Sequence, residues 1–336
     1  MTEKQYGGET GRKKGKVTKI NANEISLAQK VKKEEMLEGE IIRQEDVLSY
    51  KEAGKIAIEV RNFAKEIIRP GMKLLGIAEQ IESKIMELGG KPAFPVNLSI
   101  NEIAAHYTPG FNDETLASGI LKVDIGVHVN GCIADTAFSL DLENNEENKK
   151  LIEASEQALA KGLEKIRYGI EVREIGKEIQ EAIVSNGFSP IRNLTGHQVT
   201  KYFLHAGISI PNYDNGNNTK INKGVYAIEP FVTNGQGIVY ESKPSGIYIF
   251  RERKGVRGKL AKDMMDYILE EYGTLPFCSR WLIKKFGTRA TLALKLLEQA
   301  GAVEQYNTLV EKGRGKVSQA EHTAIVFEDN VEIITR

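Results

Sequence analysis

The segment LKVDIGVHVNGCIADTAF, residues 121–138, predicts a β-hairpin built from two apolar strands. Asn130 and Gly131 form a preferred two-residue type I′ turn between these strands. This turn places Val129 opposite Cys132, and the pairing then continues outward in the same register. The hairpin therefore determines which side chains are neighbours on each face of the sheet.

An aspartate lies inside each strand of this hairpin. The predicted register places Asp124 opposite Ala137 and Asp135 opposite Gly126, with all four side chains on one face. The two aspartates are then diagonal neighbours, about 7–8 Å apart at the backbone, with very small partners. A solvent-facing polar surface would explain this pair, and so would a bound cation that relieves the repulsion between the carboxylates.

The composition indicates a globular chain in a reducing compartment. Its 336 residues are 41% apolar, which is enough for a large core, and it contains two cysteines. The formal net charge is zero, so overall charge indicates no nucleic-acid, membrane or acidic partner. Because no run of about 18 apolar residues and no apolar signal segment is present, we expect a soluble, cytoplasmic protein without a membrane partner.

The N-terminal residues differ from the rest of the chain. Residues 1–33 contain nine Lys or Arg and three Glu, an excess of six positive charges. They contain too few apolar residues to fold alone, so we predict a mobile basic extension over residues 1–45. Two interpretations stay open: the extension makes electrostatic contact with a polyanionic surface, or it has no function.

Two similar pairs of helices flank the predicted hairpin. Helical periodicity occurs twice between residues 48 and 90, interrupted by Pro70 and Gly71, and twice again between residues 146 and 187. This crude repeat predicts an α+β domain with two pseudo-symmetric halves and a functional site between them.

The second half of the chain supplies further candidate metal ligands. His197, Glu229 and Glu321 each lie in apolar surroundings, although each alone could be a structural core residue. Together with Asp124 and Asp135 they form a set of four carboxylates and one imidazole. Four negative charges balance two divalent cations, so this oxygen-rich set suits two such ions.

Several segments, in order along the chain, resemble the type II methionine aminopeptidases of archaea and eukaryotes. They are KPAFPVNLSINEIAAHYTP (91–109), the hairpin, NLTGHQVTKYFLHAGISIPN (193–212), YAIEPF (226–231), YGTLPFCSRWL (272–282) and QAEHTAIV (319–326). The resemblance covers roughly residues 48–336. It implies a pita-bread fold, with helices on a curved antiparallel sheet, as a catalytic domain over residues 46–336 with a helical insertion at about 250–312.

The resemblance also assigns roles to the five candidate ligands. Asp124 would chelate one metal ion, Asp135 and Glu321 would bridge both ions, and His197 with Glu229 would complete the other site. A metal-bridged hydroxide would attack the first peptide bond of a protein with an N-terminal methionine and a small second residue. Manganese, iron, cobalt and zinc all suit this ligand set.

Further residues would bind the substrate. The resemblance implies catalytic roles for His106 and His205, which would contact the scissile peptide unit, and for Glu229 as a proton shuttle. Phe94, Leu204 and Tyr306, together with the two histidines, would form an apolar slot for the methionine side chain. Asn307 stands where relatives often have proline, so we expect a looser loop beside Tyr306.

Two other histidines are predicted to be structural. His128 lies roughly 13 Å along the strand from Asp124, near the turn. His322 should point to the face opposite Glu321.

Three functions remain as alternatives at this point. The first is a monomeric methionine aminopeptidase that acts on nascent polypeptides. The second is a pita-bread peptidase of the proline dipeptidase kind, and the third is a non-catalytic relative that binds ribosomes or nucleic acid.

Overall fold

The first half of the molecule consists of a helix pair and the hairpin sheet. The computed structural model describes residues 43–336, so the predicted extension lies almost entirely outside the described residues. The elements of this half are α1 Gln44–Ile67, α2 Leu74–Glu87, β1 Lys91–Pro92, β2 Asn97–Ile100, β3 Ile103–Ala105, β4 Ile120–Val129 and β5 Cys132–Asp141.

The hairpin register is confirmed. Asn130 and Gly131 have φ angles of 52° and 85°, as a type I′ turn requires. Asp124 lies opposite Ala137, and Asp135 lies opposite Gly126. The two aspartates therefore share one face of the sheet as neighbours on adjacent strands.

The second half repeats the arrangement of a helix pair on strands. Its elements are α3 Glu146–Lys165, α4 Val172–Ser185, β6 Ser189–Pro190, β7 Thr195–Thr200, β8 Phe203–Pro211, β9 Gly224–Ile228 and β10 Phe231–Thr233. The Asn145 side chain starts α3 by accepting hydrogen bonds from the backbone N–H groups of Glu147 and Asn148. Both predicted helix pairs are therefore present.

The remainder of the chain adds three helices and six strands. These elements are β11 Val239–Phe250, α5 Lys259–Glu271, β12 Phe277–Cys278, α6 Ser279–Phe286, α7 Ala290–Gln299, β13 Val303–Glu311, β14 Val317–Gln319, β15 Glu321–Val326 and β16 Val331–Ile333. The three helices lie within the span predicted as an insertion. They enclose a core of their own, which includes Met264, Leu282 and Leu297.

An antiparallel sheet joins the two halves. Its central strands follow the order β1-β4-β5-β15-β9-β7-β8, with β2 paired to β4 and β16 paired to β15. One hydrophobic core packs α1 and α2 against the hairpin, and a second packs α3 and α4 against β8, β9 and β15. The predicted α+β pita-bread architecture is confirmed.

None of the helices between residues 43 and 336 is both long enough and apolar enough to cross a membrane.

Candidate metal centre

Five adjacent strands of the sheet each position one candidate ligand. In the order of the strands β4, β5, β15, β9 and β7, these residues are Asp124, Asp135, Glu321, Glu229 and His197. The sheet therefore brings together carboxylates that are almost 200 residues apart in sequence.

The sequence predicts Glu229 inside a short apolar strand and Glu321 near the entry to the final strand, and both positions differ in detail. Glu229 lies one residue beyond β9 and not inside a strand, because Pro230 has no N–H to continue the ladder. Glu321 begins β15, which is not the last strand, since β16 follows it.

The ligand atoms lie within the range that one metal ion can bridge. Atoms of Asp135, His197 and Glu321 are all within 4.8 Å of one another. His197 Nε2 lies 3.9 Å from Asp135 Oδ2 and 3.3 Å from Glu229 Oε1. Glu321 and Asp135 are only 1% and 3% exposed, so these charges are largely removed from water.

Burial and mutual repulsion disfavour the ionised carboxylates. Burial raises the pKa of Asp124 to about 7. Burial, followed by repulsion from the neighbouring carboxylates, raises the pKa values of Asp135, Glu229 and Glu321 well above their ordinary range. No lysine or arginine of residues 43–336 lines the cavity in which they lie. The negative charges therefore lack a cation from the protein.

Unpartnered oxygen atoms also indicate that these carboxylates bind a cation. Asp124 Oδ1, Asp135 Oδ1 and Glu321 Oε1 are buried without a hydrogen-bond partner. Buried polar atoms are rarely left in this state unless an ion or water binds them. Four carboxylates and one imidazole thus fit divalent metal ions, both in charge and in donor type.

A single cavity of about 230 Å³ contains the candidate ligands. It also contains every other residue predicted for the site. The predicted residues in its lining are Phe94, His106, Asp124, Asp135, His197, Leu204, His205, Glu229, Tyr306 and Glu321.

The histidines of this cavity are neutral near pH 7. Burial lowers the pKa of His106, and its Nδ1 lies 3.3 Å from the backbone oxygen of Asn307. Loss of hydration within the cavity, followed by repulsion from His106, lowers the pKa of His205 to about 4, and its side chain remains accessible from the cavity. Burial and the nearby His205 hold the pKa of His197 well below its usual value, which favours the neutral, metal-binding form.

The prediction of a looser loop beside Tyr306 is wrong. Tyr306 and Asn307 lie within β13, and Asn307 pairs with Pro244 of β11. The Asn307 side chain also donates a hydrogen bond of 2.9 Å to Glu241. The asparagine is therefore held by the sheet, and its backbone oxygen is available to His106 because β13 is irregular at this point.

Comparison with known proteins places the chain in a family. The profile of Metallopeptidase family M24 matches residues 49–260. The chain belongs to this family. Two M24 relatives are the methionine aminopeptidases of Pyrococcus abyssi and Methanocaldococcus jannaschii. They are 48% and 47% identical to this chain, covering 86% and 85% of it and 99% and 97% of their own lengths.

A solved structure supports the fold. The crystal structure of methionine aminopeptidase from Thermotoga maritima matches with a TM-score of 0.65 at 23% identity. The match covers 89% of this chain and 99% of that one.

Sequence reasoning missed one polar residue of this M24 centre. Gln319 Nε2 donates to Glu229 Oε2 at 3.4 Å, and the Gln319 side chain also hydrogen-bonds Asp124. Gln319 is almost fully buried at the end of β14. Its spacing of two residues from Glu321, the period of an extended strand, was an available signal that both side chains share a face.

The two histidines predicted to be structural lie outside the M24 centre. His128 Nδ1 accepts a hydrogen bond from the backbone N–H of Gly131 in the hairpin turn. His322 contacts Thr335 and Arg61 on the other side of β15. Neither lines the cavity.

Proposed function

We propose that this M24 peptidase removes the N-terminal methionine from nascent proteins and peptides with a small second residue. The observation that carries the proposal is the convergence of four carboxylates and one histidine in a cavity that also has an apolar lining. The relatives that match nearly the whole described chain are methionine aminopeptidases. Metal-dependent hydrolysis of the first peptide bond is therefore the activity of this chain.

The proposed cofactor is a pair of divalent ions held by the five candidate ligands. The four carboxylates would neutralise two divalent cations, with Asp135 and Glu321 placed between the other ligands along the sheet. Bound divalent ions of this kind lower the pKa of water and polarise carbonyl groups. Cobalt, manganese, iron and zinc are all compatible with the donor set, so availability would select among them.

The protonation of His106 suits recognition of the substrate amide. A backbone carbonyl can only accept a hydrogen bond, so His106 Nδ1 carries the proton that it donates to Asn307. In a neutral ring, Nε2 is then an acceptor, which suits the N–H of the scissile peptide. His205, also neutral, has one N–H that can be donated to the scissile carbonyl oxygen.

Glu229 is placed for proton transfer because its carboxylate lines the cavity beside the other ligands, 3.3 Å from His197 Nε2. It would accept a proton during attack and return it to the leaving amine. Phe94, Leu204 and Tyr306 would enclose the methionine side chain, since an unbranched thioether fits an apolar, aromatic slot. Such a slot favours methionine without rejecting every isostere.

The domain division and further partners complete the proposal. Residues 46–336 would form the catalytic domain of a monomer, with the helical insertion at about 250–312. The basic extension over residues 1–45 would increase the rate of encounter with ribosomal RNA. Deletion of residues 1–33 should weaken ribosome co-sedimentation at low salt without changing tetrapeptide hydrolysis. Equal co-sedimentation of both proteins across a salt series would rule this contact out.

Peptide assays on the metal-reconstituted protein test the activity. Met-Gly-Met-Met should be hydrolysed, Met-Pro and Ala-Pro should be poor substrates, and Asp135→Asn should be inactive. Cleavage confined to the X-Pro dipeptides would instead support a proline dipeptidase. Absence of any cleavage, with ribosome binding retained, would support a non-catalytic relative.

Two alanine variants separate metal binding from substrate binding. Asp135→Ala should lose both metal and activity, because the variant lacks a carboxylate that lies among the other ligands. His106→Ala should keep its metal content and lose turnover. Loss of metal from both variants would show that the role of His106 is wrongly assigned.

A further inference from the structure

The sheet forks beside the proposed metal centre. One edge of β15 is shared by two strands: β5 pairs with its first two residues, and β16 pairs with its last three. The ladder with β5 consists of Glu321 opposite Ala137 and His322 opposite Thr136. It stops before Asp135, so Thr323 lies at the point where the two strands diverge.

A threonine hydroxyl occupies the place of the next rung of this ladder. Thr323 Oγ1 accepts a hydrogen bond from the backbone N–H of Asp135 at 2.8 Å. It also donates to the backbone oxygen of Asp135 at 2.8 Å. Thr323 is fully buried, so no water competes for these bonds. The backbone of Asp135 is therefore held to β15 through a side chain and not through the usual backbone pair.

The backbone of Thr323 is engaged elsewhere. Its N–H donates to Thr335 Oγ1 at 3.0 Å, and its carbonyl oxygen accepts from the N–H of Ile334 at 2.9 Å. The residues after β16 therefore take the partners that β5 would otherwise use. The Thr323 hydroxyl then remains as the link between β15 and Asp135.

The neighbouring ligand is held in a related way. Thr136 Oγ1, on β5, donates to the backbone oxygen of Glu321 at 3.0 Å. Each of these two buried carboxylate residues therefore has its backbone fixed by a threonine hydroxyl from the opposite strand. Metal sites tolerate deviations of only about 0.2 Å in ligand distance, so the separation of the strands at this point affects binding directly.

We propose that Thr323 is a positioning residue of the metal centre, whose hydroxyl at the fork between β5 and β15 sets the placement of the Asp135 carboxylate relative to Glu321. This inference rests on the proposed function, since it assigns a role toward the metal ions of that site. Groups that orient metal ligands typically affect affinity by about 10–100-fold.

Direct titration of the metal-free protein with Co²⁺, followed by the visible absorption of the bound ion, tests the proposal. Thr323→Val keeps the shape of the side chain and removes the hydroxyl, so the Kd for Co²⁺ should rise by about 10–100-fold. Thr323→Ser restores the hydroxyl and should recover most of the affinity. The kcat for Met-Gly-Met-Met should fall in the valine variant while the KM changes little.

Thr233→Val is a matched control. Thr233 is also fully buried, and its hydroxyl donates to the backbone oxygen of Lys316 at 2.8 Å and accepts from the N–H of Gly235 at 2.9 Å, so both partners lie outside the proposed ligand set. This variant should lose stability comparably and bind Co²⁺ normally. If Thr323→Val does not fold, Thr335→Val should raise the Kd in the same direction to a smaller extent.

Several outcomes would overturn the inference. They are unchanged Co²⁺ affinity in Thr323→Val, equal weakening in Thr233→Val, and failure of the serine variant to recover affinity. If wild-type protein itself bound no Co²⁺, the proposed function would fail instead, so the two failures are distinguishable.

Discussion

Replacement of Glu82 by glutamine should strongly destabilise the protein, although Glu82 lies outside the metal centre. Glu82 and Arg280 form a buried two-point ion pair, with N···O distances of 2.7 and 2.8 Å. The carboxylate also accepts hydrogen bonds from Trp281 Nε1 at 2.8 Å and from the N–H of Val96 at 3.3 Å. The pair thus joins α2 of the first half to α6 of the three-helix segment.

The magnitude follows from the burial of the charge that remains. Arg280 is 2% exposed, so Glu82→Gln leaves a guanidinium cation in the interior without a counter-ion. Removal of one partner of a buried ion pair costs about 3–5 kcal/mol. At about 2–4 °C per kcal/mol for a large domain, Tm should fall by roughly 6–20 °C.

Thermal and urea denaturation of four variants and the wild type measure this effect. Arg280→Met should be destabilised to a similar extent because it leaves a buried carboxylate. The double variant Glu82→Gln with Arg280→Met has neither charge and should recover most of the lost stability. Glu87→Gln on the same helix breaks only an exposed ion pair with Lys84, so its stability should change by less than about 0.5 kcal/mol.

Two results would refute this reasoning. One is a loss below about 1 kcal/mol in Glu82→Gln, which would mean that the cation is solvated or paired elsewhere. The other is a double variant whose loss equals the sum of the two single losses, because independent sites would behave in that way.

Three further perturbations have defined outcomes. The pKa of Asp124 is raised from 3.8 to about 7 in the folded metal-free protein. Between pH 3.8 and about 7 the folded protein therefore binds more protons than the unfolded chain. Its free energy of unfolding should fall as pH rises through this range. From pH 5 to 8, urea denaturation should show a loss about 3 kcal/mol greater in the wild type than in Asp124→Asn, whereas equal slopes would contradict this assignment. Gly126→Ala would push a methyl group into the Phe94 ring, so KM for methionyl peptides should rise while Co²⁺ affinity stays normal; an unchanged KM would show that the ring does not shape the slot. Cys132→Ser should retain full peptidase activity, because the thiol is buried and burial raises its pKa to about 12; inactivity with intact folding would give the thiol a role in catalysis.

Local features of the fold were accessible from the sequence. The hairpin register depends on one turn dipeptide and on strand alternation, both of which are determined by adjacent residues. The helix pairs depend on apolar periodicity in the same way. The family resemblance then identified ligands on strands that periodicity alone could not bring together.

Other features depend on contacts between distant segments, so a local pattern cannot identify the partner of each residue. Gln319 reaches Glu229 across 90 residues, and Glu82 reaches Arg280 across 198. Asn307 was expected in a looser loop because relatives often have proline at this position, and its neighbours in sequence do not show that β11 pairs with it. In each case the partner is selected by the packing of elements and not by a short motif.

The division of the candidate ligands between the two halves of the sheet has a consequence for assembly. The first half contributes Asp124 and Asp135, and the second contributes His197, Glu229 and Glu321. Neither set alone matches the ligand requirement of a pair of divalent ions. A chain cut in the connection at residues 142–145 would yield two fragments, each with an incomplete set of ligands. Because apolar residues from both fragments also share the first core, divalent ions should strengthen their association and a chelator should weaken it.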